Sequence, residues 1–157
     1  MLRARLCITG VSRFYRNPAV DRTGKPQDQP AFVNGVIRAR TPLPPGDLKL
    51  GVLYAVERAC RRVRTQDRYA PRTLDLDLLA YQDLAFRTAV TELPDPCILV
   101  HPFLAVPLAE LADGWVPPGS RDSMQAIAQR IGTASLVEEV ALTRSVRRLV
   151  LGIDAKG

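Results

Sequence analysis

The chain has 157 residues, which fits one domain, and its 46% hydrophobic and 24% charged content excludes wholesale disorder and fibrous repeats. The apolar stretches, such as Phe103 to Leu111 with Pro107 inside, fall far short of the roughly 18 to 20 residues of a membrane span. The N-terminus lacks the apolar core of a secretory signal, so a soluble, cytoplasmic protein is expected. The formal net charge is +6 and only Lys25, Lys49 and Lys156 of the 22 basic residues are lysine. Arginine suits bidentate recognition of phosphate, although a compositional bias toward arginine explains the same count.

In chain order, Arg3 to Arg16 alternates weakly through Leu6, Ile8, Val11 and Phe14, predicting a strand that bends near Gly10. Asn17 to Pro30 breaks both periodicities and reads as a long surface loop. Ala31 to Thr41 predicts a second strand with Phe32, Asn34, Val36 and Arg38 on one face. Pro42, Pro44 and Pro45 stop it. Leu48, Val52, Val56, Cys60 and Val63 then recur at helical spacing, widened by Leu53 and Ala59, so a helix is expected from about Gly46 to Arg62. A polar link, Arg64 to Arg72, leads to Thr73–Tyr81, the most regular alternation in the chain. It predicts a strand with Leu74, Leu76, Leu78 and Ala80 on one side and Thr73, Asp75, Asp77, Leu79 and Tyr81 on the other. Val90 to Val100 is irregular. Phe103 to Leu111 predicts a helix with Pro107 in its first turn, Ser123 to Ile131 a short amphipathic helix, and Ser145 to Ile153 a final strand. The sum is one α+β domain over residues 1–157, a mainly antiparallel sheet with helices on one face.

Asp75 and Asp77 carry the sharpest chemical signal. Carboxylates at i and i+2 of a strand leave one face a few ångströms apart and repel, so keeping both invites a hard divalent cation, Mg²⁺ above all. A solvated edge of alternating Asp and Leu is the plainer reading. With His101 the one histidine, a multi-histidine centre is excluded, and Cys7, Cys60 and Cys97, far apart, suggest neither a zinc site nor a disulfide framework. Arg58, Arg61, Arg62, Arg64, Arg68 and Arg72 lead into the carboxylate strand. Arginine beside a divalent ion is the combination phosphoryl chemistry uses, while cations at a helix end also suit its macrodipole. No G-x-x-x-x-G-K or G-x-G-x-x-G occurs, so any phosphates are held by side chains and metal.

The run Arg68-Tyr-Ala-Pro-Arg-Thr-Leu-Asp-Leu-Asp-Leu-Leu79 resembles the signature of the 6-hydroxymethyl-7,8-dihydropterin pyrophosphokinases. Ser12-Arg-Phe-Tyr-Arg-Asn-Pro-Ala-Val20 and Gln27-Asp-Gln-Pro-Ala-Phe-Val-Asn-Gly-Val36 agree in order and spacing, and the resemblance spans about Val11 to Ala112. It implies a ferredoxin-like α+β fold and transfer of pyrophosphate from ATP to the pterin hydroxymethyl group, releasing AMP. It implies two Mg²⁺ ions on Asp75 and Asp77, with Arg62 and Arg72 on the phosphates. Glu57, Arg64, Tyr69 and Leu78 would join Arg62 and Arg72 around ATP, Tyr69 on a loop that closes over both substrates. Phe32 and Phe103 would stack on the pterin ring, Asn34 would read its edge, and Asn17, Pro18, Ala19 and Val20 would complete the pocket. ATP and dihydropterin are the implied partners, with neighbouring folate-pathway enzymes beside them and no nucleic acid or membrane.

Three departures accompany the resemblance. Pro94-Asp95 stands where the family usually has a histidine after the proline, and His101 where it usually has an arginine. The family's first strand and helix, with a Gly-Ser-Asn segment, have no counterpart before Leu6, implying a chain truncated at its N-terminus relative to the family. Two other functions compete. A degenerate homologue would bind pterin or nucleotide without turnover. An RNA-binding domain fits the arginine run, but RNA binders of this shape show aromatics where this strand shows carboxylates.

Overall fold

The computed structural model describes residues 6–18, 30–62, 73–89 and 91–152. The long loop expected before Pro30, the polar link before Thr73, and Ala19, Val20, Arg64, Tyr69 and Arg72 lie largely or wholly outside them. The α+β class holds, and every strand pair is antiparallel.

Each of the two long strands expected near the N-terminus is cut in two. Strand β1 (Cys7–Val11) pairs with β4 (Ile37–Arg40), and β2 (Tyr15–Asn17) with β3 (Phe32–Asn34). The register steps once at Thr9, between Ile8↔Ala39 and Gly10↔Arg38. It steps again where Ser12–Phe14 stands opposite Gly35 and Val36, between Val11↔Ile37 and Tyr15↔Asn34. Each step adds a residue to the first strand, as a β-bulge does, so the strand is bulged beside Gly10, where a bend is expected, and again at Ser12–Phe14. Gly35 is required there, because a Cβ on it would meet the Phe14 ring at 2.8 Å.

A bulge leaves backbone groups without ladder partners, and buried ones must find others. The Ser12 N–H donates to Val36 C=O at 3.0 Å, and the Val36 N–H donates to Ser12 Oγ at 2.8 Å. Arg13 N–H reaches Glu110 Oε2 and Phe14 N–H reaches Thr143 Oγ1, each at 2.8 Å. Glu139 N–H donates to Phe14 C=O, and Arg147 Nε to Val11 C=O. Glu110 also accepts from Arg13 Nε at 3.0 Å and from the Tyr15 hydroxyl at 2.5 Å. Burial, then that bond to a carboxylate, pushes the Tyr15 phenol up, so it remains a donor.

Three of these partners come from the C-terminal segment, which corrects the final strand expected over Ser145–Ile153. Strand β7 (Val137–Glu138) pairs with β2, giving the order β3-β2-β7, and a helix follows over Val140–Leu151. Thr143, Val146, Arg147 and Leu151 turn inward at spacings of three and four. Gly152, at φ 66°, ends the helix in the left-handed conformation glycine tolerates.

The expected helix over Gly46–Arg62 is a composite: Pro45–Asp47, a π-helical stretch Leu48–Leu53, and Tyr54–Ala59. Wider π turns delay the inward face by one position. Leu48 and Val52 are buried as expected, but the next buried residue is Glu57 in place of Val56, and Ala59 and Cys60 are exposed.

Helix Pro102–Leu111 begins with Pro102 at its first turn, so Pro107 is interior, not initial, and fully buried. It forgoes one helical hydrogen bond, to the Phe103 carbonyl. Helix Met124–Ile131 is as expected, with Ser123 Oγ accepting the Ala126 N–H. Val36, Ile98, Ala105, Leu108, Met124 and Ile127 form the core between these elements. The region expected to be irregular, Val90 to Val100, holds β6 (Glu92–Leu93), which pairs with β5 (Phe86–Arg87) just before it, and then a 3₁₀ turn over Pro96–Leu99. In place of one sheet the described residues form three small ones.

Candidate active site

Residues 74–80 form no regular strand, contrary to the strand expected over Thr73–Tyr81, although exposure still alternates from Thr73 to Leu78. A strand needs a ladder, and this segment is held mainly by side chains. The Leu76 N–H donates to Glu57 Oε1 at 2.8 Å, and Leu74 C=O accepts from Arg62 Nη1 at 3.3 Å. Thr73 Oγ1 donates to Cys60 C=O at 2.7 Å, and Leu79 C=O accepts the Asp95 N–H at 2.8 Å.

Arg62 Nη1 bonds both Glu57 Oε1 and Asp75 Oδ1. Glu57 is 1% exposed and the Arg62 side chain 11%. The helix end delivers this arginine. Arg61 N–H bonds Arg58 C=O and Arg62 N–H bonds Glu57 C=O, the paired bonds of a Schellman turn. That turn places Arg61 at φ 62°, a conformation that favours glycine. Arg61→Gly should therefore raise stability by about 0.5–1 kcal/mol, read as an increase in melting temperature; a decrease would mean that the Arg61 side chain contributes more than the strain it carries. Both Arg62 and Glu57, expected around ATP, are thus spent at least partly on protein partners.

Asp77 opens onto a cleft of about 310 Å³ that Lys49, Leu78, Arg87, Thr91 and Asp95 help to line. Its carboxyl is pushed above the usual carboxylate value, first by partial withdrawal from water, then by the charges of Asp75 and Asp95, against the pull of Lys49. The Asp95 side chain caps the 3₁₀ turn, accepting the Cys97 N–H at 2.8 Å, while still bordering the cleft. Among the described residues the Thr91 hydroxyl is buried with no hydrogen-bond partner.

Asp77 on the cleft, with the Asp75 carboxylate near enough to repel it, forms an oxygen donor set that fits a hard divalent ion. Among the described residues no group of three His, Cys, Asp or Glu side chains forms a metal cage. Magnesium accepts such a partial set, completing its shell with water and phosphate.

A second cluster lies on β2 and β3. Asn17 is opposite Phe32 in the register, and Asn34 Nδ2 donates to Asn17 Oδ1 at 2.5 Å. Asn17 Nδ2 turns to Pro18 C=O at 3.2 Å. Asn17, Phe32 and Asn34, all expected around the pterin, are therefore neighbours, with Phe32 36% exposed. Phe103 sits in the first turn of its helix and stacks on His101, with ring centroids 5.0 Å apart and planes at 19°.

Residues 1–113 match the model of the 7,8-dihydro-6-hydroxymethylpterin-pyrophosphokinase (HPPK) family. The chain belongs to this family. It is 38% identical over 120 residues to a 2-amino-4-hydroxy-6-hydroxymethyldihydropteridine pyrophosphokinase of Synechocystis sp., covering 76% of this chain and 58% of that protein. It is 35% identical over 122 residues to the protein of that name from Haemophilus influenzae, covering 78% and 72%. A mitochondrial folate synthesis bifunctional protein of Pisum sativum is 31% identical over 147 residues, covering 80% and 28%. The chain thus spans less than two thirds of the Synechocystis and Pisum proteins. No helix among the described residues is long and apolar enough to cross a membrane.

Lys49, Arg87 and Thr91 are cleft residues that sequence reasoning missed. Lys49 hid among helical surface positions. The hairpin that supplies the other two has strands of two residues each, too short for periodicity to register.

Proposed function

We propose that this protein transfers pyrophosphate from ATP to 6-hydroxymethyl-7,8-dihydropterin, giving the pterin diphosphate and AMP. The observation that carries the reading is the cleft along which Asp77, its carboxylate repelled by that of Asp75, lies with Lys49 and Arg87, in a chain whose family is named for this reaction. The pterin hydroxyl oxygen attacks the β-phosphorus, the bond from that phosphorus to the α-phosphate bridging oxygen breaks, AMP leaves, and the hydroxyl proton passes to water.

Asp75 and Asp77 would hold magnesium, two ions by the family resemblance; when bound it offsets phosphate charge and polarises the phosphoryl oxygens. Lys49 and Arg87 attract the polyphosphate to the cleft. Arg62 holds Asp75 in place and lends positive charge to the phosphate side. Arg64, Tyr69 and Arg72 belong to the ATP side of this reading by motif position. Asn17 and Asn34 present amides that match the mixed donor and acceptor edge of a pterin, and Phe32 and Phe103 offer ring faces for offset stacking.

The test is AMP release from ATP and Mg²⁺ with and without the dihydropterin. Pterin-dependent AMP is the expected result. Binding of pterin or nucleotide without AMP would overturn the reading in favour of the degenerate homologue.

A further inference from the structure

We infer that Glu57 is a positioning residue that shares the charge of Arg62 and thereby keeps Asp75 available to a divalent cation. This role rests on the reading that Asp75 and Asp77 hold that cation.

Glu57 is 1% exposed, and a buried carboxylate is costly unless paired and hydrogen-bonded. Its partners explain its presence. Oε1 accepts from Arg62 Nη1 and, at 2.8 Å, from the N–H of Leu76. Leu76 is the residue between Asp75 and Asp77, so Glu57 pins the peptide that both carboxylates flank. The Nη1 that meets Glu57 also meets Asp75 Oδ1. One guanidinium is therefore divided between two carboxylates. With Glu57 neutral, the whole charge of Arg62 would fall on Asp75 and compete with a metal for the same oxygen.

Two backbone features bring these groups together independently of any ligand. The π-helical stretch Leu48–Leu53 delays the buried face by one residue, so that Glu57 in place of Val56 is buried. The Schellman turn folds Arg62 back onto Glu57, with Arg62 N–H on Glu57 C=O at 3.0 Å. A surface glutamate that merely contacted nucleotide would need neither.

The experiment is direct Mn²⁺ binding, followed by electron paramagnetic resonance, to the full chain and to Glu57→Gln, Arg62→Gln, the double variant and Asp75→Asn. Glutamine keeps the acceptor for Leu76 but not the charge. Glu57→Gln should weaken Mn²⁺ binding about tenfold, and in the Arg62→Gln background the same change should cost under about twofold, because the two groups act through one interaction. An equal loss in both backgrounds, or none in the single variant, would overturn the role. Should Glu57→Gln unfold, Arg62→Gln alone decides: it should tighten Mn²⁺ about threefold by releasing Asp75, and weaker binding would overturn the role. Unchanged binding in Asp75→Asn would show that the metal reading itself has failed, and the role with it.

Discussion

Asp77→Asn is expected to reduce AMP formation by at least about a hundredfold while raising the melting temperature at neutral pH. The activity loss follows from removing one of two carboxylates that would hold magnesium. The stability gain follows from the surroundings of Asp77, whose carboxyl is pushed up by withdrawal from water and by Asp75 and Asp95. A carboxyl with a raised folded-state pKa costs nothing at low pH, where it is protonated both folded and unfolded. As pH rises from its ordinary value of 3.8 through the folded-state value, the unfolded chain releases its proton first, so stability is lost across that window and stays lost above it. Asparagine removes this loss. Melting curves of both proteins should diverge at pH 7 and converge near pH 3. A variant that melts lower than wild type at pH 7, or keeps more than about a tenth of its activity, would show that Asp77 is a structural partner and no metal ligand.

Ile127→Ala should cost about 3 kcal/mol, a fall in melting temperature of roughly 6–12 °C for a chain of this size. Ile127 is fully buried beside Met124, packed with Val36, Ile98, Ala105 and Leu108. A truncation there leaves a cavity that a rigid helix cannot close. Residue 127 lies beyond the family match at residues 1–113, so the effect also measures how far the C-terminal part belongs to the same cooperative unit. Differential scanning calorimetry should show one transition that shifts as a whole. A wild-type melting temperature in the variant would mean that this helix contributes little to the fold.

Much of the architecture was legible where one period dominates. The alternation in Phe32–Asn34 and the amphipathic pattern of Ser123–Ile131 led to the right elements. Legibility failed where packing chose between periods. Ser145 to Leu151 is rich in β-branched and apolar residues and reads as a strand. It is helical because Thr143 and Arg147 must reach the backbone freed by the bulge, a demand set more than a hundred residues away. Thr73–Tyr81 has an ideal strand pattern, yet its backbone partners are Glu57, Arg62 and Asp95, which no local pattern announces. For the site, the i, i+2 spacing pointed to Asp75 and Asp77, whereas Asn17, Phe32 and Asn34 were named only through the family resemblance. The burial of Glu57 was hidden because a π-helical turn has no strong signature in composition and shifts the apolar stripe by one.

The bulge at Ser12–Phe14 ties the length of one strand to the seating of the far end of the chain. Side chains alternate strictly along a strand, so an added residue would exchange its two faces downstream unless a bulge absorbs it. Here the bulge absorbs it, and Tyr15 and Asn17 stay in register with Asn34 and Phe32. Removing one residue from Ser12–Phe14 would keep that register and make the ladder regular from Gly10 to Asn17, a more uniform strand by every local measure. It would also take away backbone groups that now reach Glu110, Thr143 and Glu139. Point substitutions on this strand are therefore graded in their effects, whereas a length change acts at once on the seat of the C-terminal segment.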